Sequence, residues 1–195
     1  MRYSLTRFTA TNVISSLSCE ETCEVACEET CEVACEVACE VTRLAGQLTL
    51  HYVLTGDLAQ IDWPTDDAPP ARRMQLWEQT CFEAFLRQPD EHAYIETNAS
   101  PSGHWQCFTF SNYRTDMLVA TTPTLQVLDS AVSQTRAEVR VQVNLADWLA
   151  PTEALLMGLA AVIQTKAGDR LYYALQHIDD KPDFHHRDSH TLLIR

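Results

Sequence analysis

Nothing in this chain of 195 residues gathers positive charge: 14 Lys and Arg stand against 27 Asp and Glu, for a formal net charge of −13. A partner built on a phosphate backbone needs a basic patch, so no nucleic-acid partner is expected. No stretch approaches the roughly 18 apolar residues of a membrane helix, so no membrane partner is expected either. The opening segment MRYSLTRFTATNVISSLSC starts basic, but its apolar residues never run together as the core of a secretory signal. Ser16 stands where a lipoprotein cleavage site would carry an apolar residue. The expected location is cytoplasmic. No nucleophile-plus-base motif is visible, no Cys-x-x-Cys-His for covalent haem, and almost no helical periodicity.

What is present is ordinary globular composition, 46% apolar and 21% charged, in a length that suits one domain spanning residues 1–195. The unusual part is a tetrapeptide, Cys-Glu-x-x, that starts at Cys19 and places cysteines at 19, 23, 27, 31, 35 and 39. Residues 19–42 also hold eight glutamates and no Lys or Arg. As a helix the repeat would stack like charges four apart. As a strand it would keep every Cys on one face and every repeat-position Glu on the other. Structural zinc sites favour a close pair plus a distant second pair, which the unvarying spacing lacks. We read it as a low-complexity insertion at about 19–40, in a loop or strand end.

The rest of the chain reads as strands. Leu48, Leu50, Tyr52 and Leu54 alternate with polar residues, and Asp62 to Arg73 is a proline-rich loop. Leu76 to Leu86 reads as extended, with Phe82, Ala84 and Leu86 on one face and Cys81, Glu83 and Phe85 on the other. His92 to Asn98 alternates, and Ser100-Pro101-Ser102-Gly103 turns it into Trp105 to Phe110 as a hairpin. Val139, Val141, Val143 and Leu145 face one way in the cleanest alternation. Asp147-Trp148-Leu149 makes at most a helical turn, with Trp148 as a core plug. Leu155 to Thr165 and Leu171 to Leu175 form a further pair, and Leu192 to Ile194 can close the sheet. The pattern predicts an all-β antiparallel sandwich, jelly-roll or immunoglobulin-like.

Three segments concentrate indoles and ionisable groups where strands meet loops, the usual place for a ligand site in such folds: Trp77 to Glu83, Glu96 to Trp105, and Lys181 to Arg187. Trp77-Glu78-Gln79-Thr80-Cys81-Phe82-Glu83-Ala84-Phe85-Leu86, Asn98-Ala99-Ser100-Pro101-Ser102-Gly103-His104-Trp105, Tyr113-Arg114 and Lys181-Pro182-Asp183-Phe184-His185-His186-Arg187 together resemble the bacterial DOMON-like proteins, a group related to family-9 carbohydrate-binding modules. The resemblance runs over residues 41–195 and, more weakly, the first ten. It implies a DOMON-type jelly-roll sandwich whose relatives bind sugars or, in other branches, haem.

Trp77 and Trp105 are candidate platforms for a sugar ring, with core or rim packing as the competing use of an indole. Glu83, Glu96 and Asn98 can share protons with vicinal hydroxyls. In the closing segment Lys181, Asp183, His185 and Arg187 line or brace the site; its plainest structure pairs Arg187 with Asp183 or a core carboxylate while one His caps a backbone group. These nine residues make a non-catalytic module for a small-molecule ligand, carbohydrate first. No residue is assigned as catalytic or as a metal ligand, and no cofactor is predicted. Two alternatives stay open: a haem- or metal-binding redox domain, with haem held by Met74, Met117 or Met157 and His92, His104 or His177, or a transition metal held by two of His185, His186 and His190 with Asp183 or Asp188, and a glycoside hydrolase using Glu83 and Glu96.

Overall fold

The computed structural model describes residues 1–8, 33–146 and 148–195. Twelve strands are present among them: β1 (Arg2–Arg7), β2 (Cys35–Leu44), β3 (Gln47–Gly56), β4 (Cys81–Arg87), β5 (Tyr94–Ala99), β6 (Trp105–Phe110), β7 (Leu118–Val119), β8 (Thr124–Val132), β9 (Arg136–Asn144), β10 (Leu155–Gln164), β11 (Arg170–Ala174) and β12 (Leu192–Ile194). All the strands pair antiparallel in the order β7-β6-β5-β4-β10-β11-β1-β2-β3-β9-β8, and β12 joins the start of β10. The sheet curls on itself at β1. Residues Arg2 to Leu5 pair with β2, and Thr6 and Arg7 with β11. One short strand thus belongs to both halves, as expected of sheets that turn a corner over a shared core. The result is consistent with the sandwich expected from sequence. Among the described residues no helix is long and apolar enough to cross a membrane.

Alternation supplies the core. Val37, Cys39 and Val41 of β2, Leu48, Leu50, Tyr52 and Leu54 of β3, and Val139, Val141 and Val143 of β9 meet Phe82, Ala84 and Leu86 of β4 and the odd-numbered residues of β10. The Tyr52 ring lies 4.9 Å from that of Phe82, and its hydroxyl donates to the Glu83 carbonyl at 2.7 Å. That bond ties the two halves together.

The end of the Cys-Glu repeat is part of this core. Cys35 to Glu40 form the start of β2, with Val37 and Cys39 buried and Glu36 and Glu40 exposed, the face segregation an even period imposes. The repeat therefore runs into a strand, while Cys19, Cys23, Cys27 and Cys31 lie outside the described residues. Burial pushes the Cys39 thiol far above its ordinary range. Cys39→Ser would place a hydroxyl in an apolar site, and we expect it to cost about 1–3 kcal/mol, read as a lower urea midpoint with an unchanged slope.

Three details depart from the sequence reading. Leu76 to Leu86 is not extended throughout: Leu76–Glu78 is a 3-10 turn entered through Gln75 in the left-handed region, φ 62°, and the strand begins at Cys81. The turn buries Leu76 and leaves Trp77 half-buried over the outer face of β6, edge-on to Phe108. β1 was not anticipated. Nor was β8, where only Leu125 is buried and a bulge between Val127 and Asp129 breaks the period.

Every residue of β4 is buried. One face of β4 meets the core just described. The other is covered by residues 176–191 and by the loop from β6 to β7, which seat Phe184, His185 and His190 against Phe85. This covered outer face holds the candidate site.

Candidate ligand-binding site

Strand register decides which side chains share that face. Glu83 on β4 pairs with Asn98 on β5 and Ala160 on β10; Phe85 pairs with Glu96, and Glu96 with Phe108 on β6. Tyr94 pairs with Phe110, and Val162 with Tyr172 on β11. Period two then places Glu83, Glu96, Asn98, Phe108, Phe110, Val162 and Tyr172 on one surface. Over it lies a cavity of about 390 Å³ walled by Trp77, Phe110, Met117, Val162, Tyr172 and Phe184, with Glu83, Glu96, Arg114, Arg170 and His185 also reaching it.

The floor is acidic and buried. Glu83 is 4% exposed, and its Oε1 has no hydrogen-bond partner among the described residues. Burial first, and the Glu96 charge second, push its carboxyl well above the usual range; Arg114 opposes them. Glu96 is also raised by burial, less so because Asn98 Nδ2 donates to its Oε1 at 2.6 Å and Arg114 is near. Asn98 is itself fully buried, and its Oδ1 accepts from the Cys81 thiol at 3.5 Å. It serves as a brace under Glu96.

Arg114 is held from outside. Its Nη2 lies 2.9 Å from Asp183 Oδ1, while the Tyr113 hydroxyl donates to Asp183 Oδ2 at 2.6 Å and the His185 amide to Oδ1 at 3.1 Å. Those bonds and the Arg114 charge outweigh burial and hold the Asp183 carboxyl below the usual carboxylate range. The Arg114 amide in turn donates to the Tyr94 hydroxyl at 3.2 Å, which leaves that hydroxyl's proton for His185 Nδ1 at 2.7 Å. His185 is then the Nε2–H tautomer, with Nε2 at 3.7 Å from Glu96 Oε2, too long for a direct bond. Burial, then the Arg114 charge, lower His185 to about 4, so it is neutral near pH 7.

Of the nine residues singled out in the sequence, Trp77, Glu83, Glu96 and His185 reach the cavity, while Asn98 and Asp183 lie behind it. The other three do not meet there. Trp105 faces the main core because it alternates with Phe108 and Phe110, and the Arg72 guanidinium covers its ring at 4.4 Å. Lys181 is exposed. Arg187 lines a neighbouring cavity of about 340 Å³ that shares His185, and the ion pair expected of it with Asp183 is made by Arg114 instead. The histidine cap exists: His186 Nδ1 accepts from the Asp188 amide at 3.3 Å. Sequence reasoning missed Phe110, Arg114, Tyr172 and Phe184. Register could have found Phe110, two residues along from Phe108; the others arrive through loops and a distant strand.

Two of the haem ligands considered are committed elsewhere. Met157 is buried in the main core, and His104 spends both ring nitrogens, on Asp66 at 3.0 Å and on the Ala71 amide at 3.2 Å. Among the described residues no group of three or more His, Cys, Asp or Glu side chains is placed to hold a metal ion.

No protein-family model matches the chain, and no curated protein matches it. Solved structures do. A protein of Bacteroides uniformis ATCC 8492 described as a candidate carbohydrate-binding protein is similar with a TM-score of 0.56 and 12% identity, over 80% of this chain and 77% of that one. A family-9 carbohydrate-binding module of Caldicellulosiruptor kristjanssonii in complex with cellotriose gives a TM-score of 0.50 and 8% identity, over 75% and 68%. Its glucose complex gives the same score and identity over 75% and 69%. At such identities the likeness is one of architecture: the chain has a fold distantly related to that of the family-9 carbohydrate-binding modules.

Proposed function

We propose that this protein is a non-catalytic, DOMON-like binding module that takes a saccharide in the cavity lined by Trp77, Tyr172 and Phe184. The observation that carries the reading is a buried polar floor, Glu83 and Glu96, under aromatic walls. Ring faces suit the apolar side of a sugar, and carboxyl groups with few protein partners suit its hydroxyls. The fold likeness to modules solved with cellotriose and glucose supports the same direction. Hydrolysis fits less well. A glycosidase pair needs one carboxyl protonated and its neighbour ionised, whereas burial drives Glu83 and Glu96 the same way.

Trp77 gives the direct test. Its ring is half-buried at the cavity wall, so Trp77→Ala is expected to weaken glucose or cello-oligosaccharide binding about tenfold, the equivalent of the upper range of an aromatic contact near 1.4 kcal/mol. Titration calorimetry on both proteins reads this. Equal affinities would remove Trp77 from the site.

A further inference from the structure

We infer that the cavity selects a sugar carrying a protonated amino group, with the ammonium seated against Glu83 and Glu96 beneath the aromatic walls. The inference rests on the saccharide reading and narrows it to a ligand class.

The charge arrangement carries the argument. Two carboxyl groups lie on one buried surface, and Arg114, whose charge acts on both, is already engaged by Asp183 at 2.9 Å. Glu96 has one oxygen committed to Asn98. Its other oxygen lies 3.7 Å from His185 Nε2, too far for a direct hydrogen bond. Glu83 Oε1 has no partner at all among the described residues. A neutral hydroxyl would satisfy one such acceptor while leaving two like charges, or two protons, in a low-dielectric site. A primary ammonium offers three donors and one positive charge. It meets both carboxylates and gains from the faces of Trp77, Phe110 or Tyr172, which attract cations. An unpartnered buried acceptor beside a second carboxyl inside an aromatic cavity is what such a ligand requires.

The inference has a proton signature. The charged and titratable groups that face Glu83 are Glu96, Cys81, Arg114, His185, Arg170 and Tyr172. Of these, Glu83 and Glu96 are the carboxyl groups, and burial raises both above the usual carboxylate range. An arriving ammonium favours their ionised form, so the carboxylic O–H bond breaks, its electron pair stays on the carboxylate, and the proton passes to solvent. Affinity for an amino sugar should therefore rise with pH through the carboxyl titration, whereas affinity for a neutral sugar should not.

The experiment is titration calorimetry of the full chain with glucosamine, glucose, N-acetylglucosamine and cyclohexylamine, in two buffers of different ionisation enthalpy. We expect glucosamine to bind at least tenfold tighter than glucose or N-acetylglucosamine, with net proton release, and Glu83→Gln to abolish that preference. Glucose and N-acetylglucosamine binding as tightly as glucosamine would overturn the inference and leave the saccharide reading intact. Cyclohexylamine matching glucosamine while glucose fails would keep ammonium recognition and overturn the sugar. If none of the four binds, both fall. The comparison of ligands on the unaltered protein keeps the test valid even if Glu83→Gln does not fold.

Discussion

Gly56→Ala is expected to lower stability by about 2–3 kcal/mol, more than a single added methyl costs at other surface turns of this protein. Gly56 ends β3 with φ +130°, a conformation that residues with a Cβ rarely adopt. The added methyl would strike the Ala34 carbonyl oxygen and sit 2.9 Å from Cys35 Cα. Both are backbone atoms and cannot rotate away. Cys35 is the register partner of Gly56, and Asp57 donates to the Ala34 carbonyl at 3.2 Å, so relief means breaking the pairing where the repeat enters β2. In a chain of this size the loss corresponds to about 4–12 °C in Tm. Gly168→Ala is the control. Its φ is also positive, +96°, but a Cβ there meets nothing within 4 Å, so only backbone strain of about 1 kcal/mol applies. Calorimetric melting of both variants reads the difference. Equal losses would mean that dihedral strain, rather than collision with β2, sets the cost.

Asp183→Asn is the second large effect, and it joins stability to binding. Asp183 is nearly fully buried and accepts three hydrogen bonds, from Arg114, Tyr113 and the His185 amide. Bonds to an ionised acceptor are worth about 1.5–3 kcal/mol each, but Arg114 is half exposed and regains water once released, so we expect a net loss of about 3 kcal/mol. Because the folded-state carboxyl is held below its ordinary value, its contribution is present above about pH 4 and is lost as pH falls through the folded value. The gap between wild type and variant should therefore be widest at pH 7 and shrink progressively as pH falls below about 4, as urea midpoints across that range will read. Ligand affinity should fall together with stability, since Asp183 positions both Arg114 and the His185 backbone. A variant that melts earlier yet binds sugar unchanged would assign Asp183 to stability alone.

Much of the architecture was legible because alternation is a local signal. Leu48 to Leu54, Val139 to Leu145 and the Ser100–Gly103 hairpin each declare their face within a few residues, and the structure places them so. The same rule put Glu83 opposite Phe82, which is why it lies on the covered outer face. What failed to be legible depends on partners far away in the chain. Trp105 and Trp77 look alike in sequence, yet one precedes Cys107 on a core-facing register while the other is turned outward by the left-handed Gln75. Asp183 chose Arg114, 69 positions away, over Arg187 nearby. Loop closure of that kind leaves no periodic trace. β8 was missed for the opposite reason: it pairs along its length with β9 but buries only Leu125, so it has backbone order without an apolar pattern.

The double allegiance of β1 also bears on solubility. Among the described residues the main path of the sheet ends at β7 and β8. β1 occupies the open sides of both β2 and β11. If it detached, each would present a row of unpaired amides and carbonyls to neighbouring molecules. The next strand to dock there need not come from the same chain. The six residues of β1 thus cover two strand edges that would otherwise be open to pairing with a second molecule.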